Sequence, residues 1–384
     1  MNTIGLCTIN NCTQCQACIS VCPKQCVRMQ EAKDGFSVPV INRNECIECG
    51  LCVNSCHQIT RHKELLEPLN VYAAWSKDET IRSQSSSGGV FSEIAHTIIE
   101  QGGIVYGAVM DSNLKVHHTK AENMDELAPM RGSKYVQSDI SGVYSSVKEQ
   151  LKTGREVLFT GTPCQVAGLY AFLKKDHENL LTCDLVCHGV PSQKSFDIYC
   201  EKVGLKKEKV MEVSFRYRNG WGLQMSSQRV KNTPPRQQKW QLISPRKSYY
   251  LRAFTSGLMF DEACYSCQYA RPERVSDITM ADFWGIGAEV PFRHPTQKGV
   301  SLLLVNTNKA QQFVNECKNL FTEERSLSEA IKGNHNLAKC SERPRQRDTY
   351  YDDAERLMPV ELMSRYLLKP TPRDYLRWLK RLLK

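Results

Sequence analysis

Two evenly matched cysteine runs near the N-terminus constrain this chain more than any other feature. Cys12, Cys15, Cys18 and Cys22 are followed by Pro23, and Cys46, Cys49, Cys52 and Cys56 by His57. Both runs read C-x2-C-x2-C-x3-C, a spacing with which thiolates hold iron–sulfur clusters. Three thiolates two residues apart can wrap three iron corners of one cubane, because a tight loop turns their side chains inward. The fourth leaves along a short helix and reaches the other cluster. The expected ligand sets are therefore Cys12, Cys15, Cys18 and Cys56 for one [4Fe–4S] cluster, and Cys46, Cys49, Cys52 and Cys22 for the second. His57 in place of a proline makes the second exit turn a departure from the first. The alternatives are a zinc site or a disulfide knot, but zinc motifs usually space their pairs more widely and need only four ligands.

Such a module, of bacterial two-cluster ferredoxin type over residues 1–66, occupies a small part of 384 residues and leaves room for one or two further domains. An apolar content of 41% with 24% charge describes a globular protein able to bury a core. No apolar run approaches a membrane span; the best, Val300 to Val305, is a buried-strand candidate. Met1 to Leu6 lack the basic flank and long apolar stretch of a signal peptide. Eighteen cysteines then point to a reducing cytoplasm and to metal ligation in place of disulfides. The net charge of +10 suits acidic cofactors, an acidic partner or an anionic membrane surface, while no Arg/Lys–aromatic stripe argues for nucleic acid.

Within the first unit, Val27 to Met29 and Ser37 to Ile41 read as strands joined by a turn at Asp34-Gly35. Pro68 and Asn70 mark a boundary. Beyond it strands and helices alternate: strands at Val71 to Trp75, Ile104 to Met110, Glu156 to Thr160 and Leu180 to Val186; helices at Gly88 to Gln101, around Val143, Val147 and Leu151, from Pro163, and near Ser192. The alternation predicts an α/β domain over 71–205. In a second part, 206–340, Val213, Phe215 and Tyr217 alternate with polar residues as a strand with one exposed face would. Lys231 to Lys239 reads as a loop, and Val300 to Val305 leads into a helix near Lys309 to Leu320. His117-His118 on a strand reads as surface and core alternation. The remaining 341–384 is expected to be a basic helical tail. Its end, Pro372 to Lys384, places Tyr375, Leu379, Leu382 and Leu383 on one face, with Arg373, Arg377, Lys380, Arg381 and Lys384 largely on the other. The plain reading docks this helix on the protein's own body or a partner subunit; the sharper one is peripheral contact with the inner face of the membrane.

Four later cysteines sit in ligand-like contexts. Cys164 follows a strand at a helix start, in Gly161-Thr162-Pro163-Cys164-Gln165, where the helix N-terminus favours a thiolate. Cys187 lies at the end of a strand, before His188-Gly189-Val190-Pro191, whereas Cys183 sits inside that strand and reads as core. Cys264 and Cys267 form a C-x2-C pair. Together the four suit a third [4Fe–4S] cluster; buried free cysteines, a zinc site, or Cys164 as a reactive thiol are the alternatives. Ser85-Ser86-Ser87-Gly88-Gly89 precedes a helix and suits a phosphate or pyrophosphate, or else is a serine cap. There is no convincing Gly-x-Gly-x-x-Gly fingerprint, no P-loop and no C-x3-C-x2-C triplet.

Five motifs occur in order: Ser86-Ser87-Gly88-Gly89, Arg131-Gly132-Ser133-Lys134-Tyr135-Val136-Gln137, Gly161 to Gln165, Cys187 to Pro191, and Asp277-Ile278 through Asp282-Phe283-Trp284-Gly285. This series resembles the beta subunit of coenzyme F-420 hydrogenases and dehydrogenases, over most of residues 1–310 with the fused ferredoxin included. The same family takes in chlorophyll-pathway reductases and bacterial proteins associated with surface-polysaccharide synthesis and pyruvyl transfer. The resemblance implies an α/β flavin-binding domain with FAD and a cluster beside it. Carried over motif by motif, Cys164, Cys187, Cys264 and Cys267 become ligands of that third cluster. Ser87, Gly88, Gly89, Arg131, Ser133, Lys134 and Tyr135 become candidates for holding FAD, with Thr162 and Gln165 between flavin and cluster. The implied activity is an iron–sulfur flavoprotein oxidoreductase acting on a small molecule, the deazaflavin coenzyme among the options. Its alternatives are an electron-transfer subunit for a partner enzyme and a scaffold in surface-polysaccharide (pyruvyl transfer) synthesis.

Overall fold

The computed structural model describes residues 10–205, 210–217, 220–229 and 240–383. Met1 to Leu6, the expected loop at 231–239 and Lys384 lie outside the described residues. In the first unit, β1 (Val27–Glu31) and β2 (Ser37–Ile41) form an antiparallel hairpin, with Gly35 at φ 80° in its turn. The two cysteine loops are built alike. Gln14 and Glu48 both have φ of 55°, and Gln16 and Gly50 have 59° and 70°, at equal offsets from the first cysteine of each run. Each loop then enters a short helix, Ala17–Ser20 or Leu51–Asn54. Left-handed backbone at a side-chain-bearing residue costs on the order of 1 kcal/mol or more, and persists where neighbours fix it. Here they do: Gln14 accepts from Ser37 N–H at 2.8 Å and donates to Asp261, while Gln16 donates to Asp139 at 2.9 Å and accepts from Ser141 at 2.8 Å.

The remaining strands are, in order, β3 (Asn70–Ser76), β4 (Ile104–Met110), β5 (Val116–Ala121), β6 (Val157–Thr160) and β7 (Leu180–Leu185). There follow β8 (Val210–Arg216), β9 (Leu223–Arg229), β10 (Trp240–Leu242), β11 (Ile278–Asp282), β12 (Ser301–Val305) and β13 (Leu320–Glu324). Eight of them make one mixed sheet in the order β13-β3-β12-β11-β7-β6-β4-β5. The middle strands β4, β6, β7 and β11 are parallel, and the flanking pairs are antiparallel. Parity sorts the side chains. Along β4, Ile104 and Tyr106 join the helices Val143–Lys152 and Pro163–Leu173, while Val105 and Val109 join the helix Val90–Glu100. Both faces of β12 are covered, which explains its unbroken apolar run.

The first elements of the α/β part match the expected alternation to within a residue or two. The expectation for Val213, Phe215 and Tyr217 is corrected. They lie in or directly after β8, but every residue from Val213 to Tyr217 is buried, Ser214 and Arg216 included. The small sheet β10-β9-β8 is packed with the helices Gln193–Val203 and Tyr249–Thr255, and Tyr350, Tyr351, Leu362, Met363 and Tyr366 from the C-terminal part share that core. Only its last helix, Pro372–Leu382, has no buried residue.

Candidate functional site: three cysteine sets and a glycine-rich loop

The first set is assembled across both runs. Cys12, Cys15, Cys18 and Cys56 line one small pocket, with Thr13, Gln14, Ser55 and His57 in its wall. The second set lies at the surface: Cys49 is exposed, and Ile47 beside it is 57% exposed. Cys22 and Cys46 both act electrostatically on Cys52, so these three thiols lie near one another. A fifth cysteine joins them. Cys26 is buried, its sulfur 3.4 Å from that of Cys22, and it also interacts with Cys46. The spacing rule gave no signal for it.

The third group is gathered by strand ends. Cys164 is the second residue of the helix that follows β6, and Cys187 stands two residues beyond β7. Open α/β sheets place ligands at such carboxyl ends. Thr162 and Gln165 fix the helix start by a capping box: the Thr162 N–H donates to Gln165 Oε1 at 3.0 Å, and the Thr162 hydroxyl is 3.1 Å from Cys164 Sγ. Arg274 brings in the last pair. It is fully buried, pairs with Asp184 at 3.0 Å, and donates to Leu185 O at 3.0 Å and Tyr269 O at 2.9 Å. Those bonds tie the Cys264–Tyr269 segment to the end of β7 that carries Cys187. Cys340 adds a further thiol near Cys267, donating to Tyr265 O at 2.9 Å.

Burial pushes the Cys187 thiol up to about 12 and the Cys164 and Cys264 thiols well above their usual range. Burial thus works against the pull of the helix N-terminus on Cys164. Thiolates in such a place need a metal's positive charge. Among the described residues, no three His, Cys, Asp or Glu side chains stand close enough to hold a single metal ion.

The first and third sets abut. Gly168 lies one turn after Cys164 on the same helix face, and an added Cβ there would stand 3.0 Å from Cys15 Sγ. His57 makes a second junction between the two parts of the chain. Its ring bonds Thr13 Oγ1 at 2.9 Å on one side and Tyr269 Oη at 2.7 Å on the other. Burial lowers His57 to about 4, so near neutral pH the imidazole donates through one nitrogen and accepts through the other. The residue that breaks the proline pattern is therefore a domain bridge.

The glycine-rich segment is not a serine cap. Gly89, at φ 90°, is the residue before the helix Val90–Glu100, and no side chain caps the first turn. The serines turn elsewhere: Ser85 donates to Ile81 O, Ser87 to Val300 O at 2.9 Å, and Ser86 accepts from Ser133 N–H at 2.8 Å. That last bond joins the two loops expected to hold one ligand. Arg131 donates to Ser92 Oγ at 3.2 Å in the first turn, a cation beside the positive end of a helix, with Asp78 and Glu93 nearby. Lys134 donates to the carbonyls of Pro129, Met130 and Arg131, closing the turn. Tyr135 stacks on Phe254 at 4.3 Å and accepts from Arg216 at 3.3 Å. Arg216 grips Asp282 through two bonds of 2.6 and 2.8 Å, and Trp221 bonds the same carboxylate while stacking on Trp284 at 4.7 Å. Arg216 and Trp221 carried no recognisable motif; Tyr135, Asp282 and Trp284 did.

The family model described as coenzyme F420 hydrogenase/dehydrogenase, beta subunit N-term, matches residues 71–145, and the model of the C terminus matches 154–329. A 4Fe-4S dicluster domain model matches residues 11–58. A chain of the solved F420-reducing [NiFe] hydrogenase complex from Methanosarcina barkeri is similar at 18% identity, over 71% of this chain and 91% of that one, with a TM-score of 0.48. With the two family halves adjacent and in order behind a dicluster domain, this chain belongs to the coenzyme F420 hydrogenase/dehydrogenase beta-subunit family, as an iron–sulfur, electron-transferring member.

Proposed function

We propose that this chain is an iron–sulfur flavoprotein oxidoreductase of the cytoplasm, with Cys12, Cys15, Cys18 and Cys56, then Cys46, Cys49, Cys52 and Cys22, holding two [4Fe–4S] clusters. Cys164, Cys187, Cys264 and Cys267 hold a third, and FAD lies over the loops at Ser87–Gly89 and 131–135. When bound, clusters carry single electrons, and a flavin converts them into a two-electron exchange with a small molecule, the deazaflavin coenzyme among the candidates. The observation that carries the reading is the contact at Gly168, which sets Cys15 against the helix that Cys164 begins. The second set is then the surface end of the array, suited to a protein redox partner, and the third is the inner end.

The residues fit a flavin's diphosphate. The first turn after Gly89 has no side-chain cap, and Arg131 stands beside it, so the helix end and the guanidinium both favour an anion there. Ser133, bonded to Ser86, closes the two loops upon each other. Arg216, neutralised by Asp282, holds Tyr135 and the Trp221–Trp284 stack in place.

The test is steady-state turnover of anaerobically purified protein with a soluble acceptor alone, together with its bound flavin. Retained FAD and turnover support the reading. Failure to retain FAD after reconstitution refutes the flavin part, and FAD without turnover favours an electron-transfer subunit of a partner enzyme. Arg131→Ala is expected to weaken FAD retention while leaving the iron content unchanged.

A further inference from the structure

Half of the large apolar side chains that the described structure leaves exposed lie between Met358 and Leu383. Four of them share the final helix, Pro372–Leu382, and its end: Leu376, Leu379, Leu382 and Leu383, at 55%, 49%, 50% and 88% exposure. The helix is built to be present before it meets anything. Thr371 and Asp374 form a capping box, with the Thr371 N–H donating to Asp374 at 2.7 Å, and Lys380 and Arg381 sit in the last turn where the dipole favours them. One side faces the body. Tyr375 accepts from Arg246 at 3.1 Å, the Trp378 indole N–H is buried, and Arg381 donates to Leu223 O at 3.1 Å while lying 4.3 Å from the Tyr217 ring centroid. At 100° per residue, Leu376, Leu379 and Leu383 lie on the side away from Trp378, and Arg373, Arg377 and Lys380 line one flank of that strip. From Arg365 to Leu383 there are six basic residues and one acidic residue.

We propose that this face seats the protein on an anionic lipid surface. The helix lies in the interface, with its leucines in the acyl boundary and its basic flank among the headgroups. The charge decides the occupant. A second copy of the chain would set the same basic flank against itself, whereas an anionic bilayer complements both the charge and the apolar strip. A single short helix gives reversible binding, not insertion.

The experiment is co-sedimentation of the whole, iron-loaded protein with vesicles of phosphatidylcholine alone and of phosphatidylcholine mixed with phosphatidylglycerol, with light scattering of the protein without lipid. The wild type should bind the mixed vesicles and not the neutral ones, and added salt should weaken it. A basic side chain near such a surface strengthens binding roughly fivefold, so R373E/R377E/K380E should weaken it on the order of a hundredfold or more. L376S/L379S should cost roughly tenfold or more for each leucine. Both variants should keep wild-type iron content. No binding to phosphatidylglycerol vesicles, or binding that ignores both variants, overturns the proposal. So does a wild-type dimer that L376S/L379S converts to monomer without changing vesicle binding, which would make the face a self-association surface.

Discussion

Replacing Gly168 with alanine puts a methyl group where the structure has no space for one. Its carbon would lie 2.7 Å from Tyr144 Oη, 2.8 Å from Cys15 Cβ and 3.0 Å from Cys15 Sγ. Contacts that short force Cys15, Tyr144 or the helix to move. Overpacking a core by a methylene or so costs about 1–3 kcal/mol. Alanine returns about 1 kcal/mol through its greater helix propensity. The net loss is therefore about 0–2 kcal/mol, a fall in Tm of a few degrees. The larger effect falls on the relation between the cysteine sets, because the displaced residue belongs to the first and the helix carries the third. Electron paramagnetic resonance of the anaerobically reduced protein should show weakened magnetic coupling between clusters, with iron content nearly unchanged. Tyr144→Phe in the same background relieves the hydroxyl clash but gives up the 2.7 Å bond to Gln165 O, and should leave the coupling unrestored because the contact with Cys15 persists. A Gly168→Ala protein that gains the full helix-propensity increment, with unaltered coupling, would refute the close approach.

Other outcomes follow from the same geometry. Cys264→Ser should remove the iron of one cluster and leave the spectroscopic signals of the N-terminal unit; an unchanged iron count takes Cys264 off the ligand list. Arg274→Met leaves Asp184 buried without its partner and should cost about 3–5 kcal/mol, read by chemical denaturation, while Asp184→Asn/Arg274→Met should recover part of it. His118 is buried, with Nε2–H donating to Thr160 O at 2.9 Å and Nδ1 accepting from Ser138, and burial lowers it from 6.5 to about 4. The unfolded state therefore binds the proton first as pH falls. Its contribution is fully present above about pH 6.5 and is lost progressively towards pH 4, amounting to about 3 kcal/mol. The wild-type minus His118→Gln difference in unfolding free energy should shrink over that window, and a flat difference would contradict the buried neutral ring.

The cysteine loops were legible because their chemistry is local. A C-x2-C-x2-C loop must turn its side chains inward, and the matching left-handed residues Gln14 and Glu48 are how this chain does so. The alternation from β3 to the helix Gln193–Val203 was legible for a similar reason: parity and helical spacing survive in the sequence when each element has one buried face. Where that condition fails, the reading fails. Val213 to Tyr217 alternate apolar with polar residues, but Arg216 is as buried as Phe215 because Asp282, sixty-six positions away, neutralises it. Gly168 looked like one more small residue in an apolar helix, and its use depends on Cys15, far off in the chain. His57 showed itself only as a broken pattern; its partner Tyr269 is 212 residues on. Ser85 to Ser87 resemble caps in sequence, yet their hydroxyls are directed by Ile81, Val300 and Ser133.

Three cysteine sets and one flavin site in a single chain have a simple stoichiometry. Iron and flavin content of the anaerobically purified wild type, reconstituted with iron, sulfide and FAD, addresses it most directly. The expected result is about twelve irons per chain, four for each of three clusters, and one tightly held FAD. About eight irons with no retained flavin would leave an N-terminal two-cluster unit on an empty domain, and would contradict it.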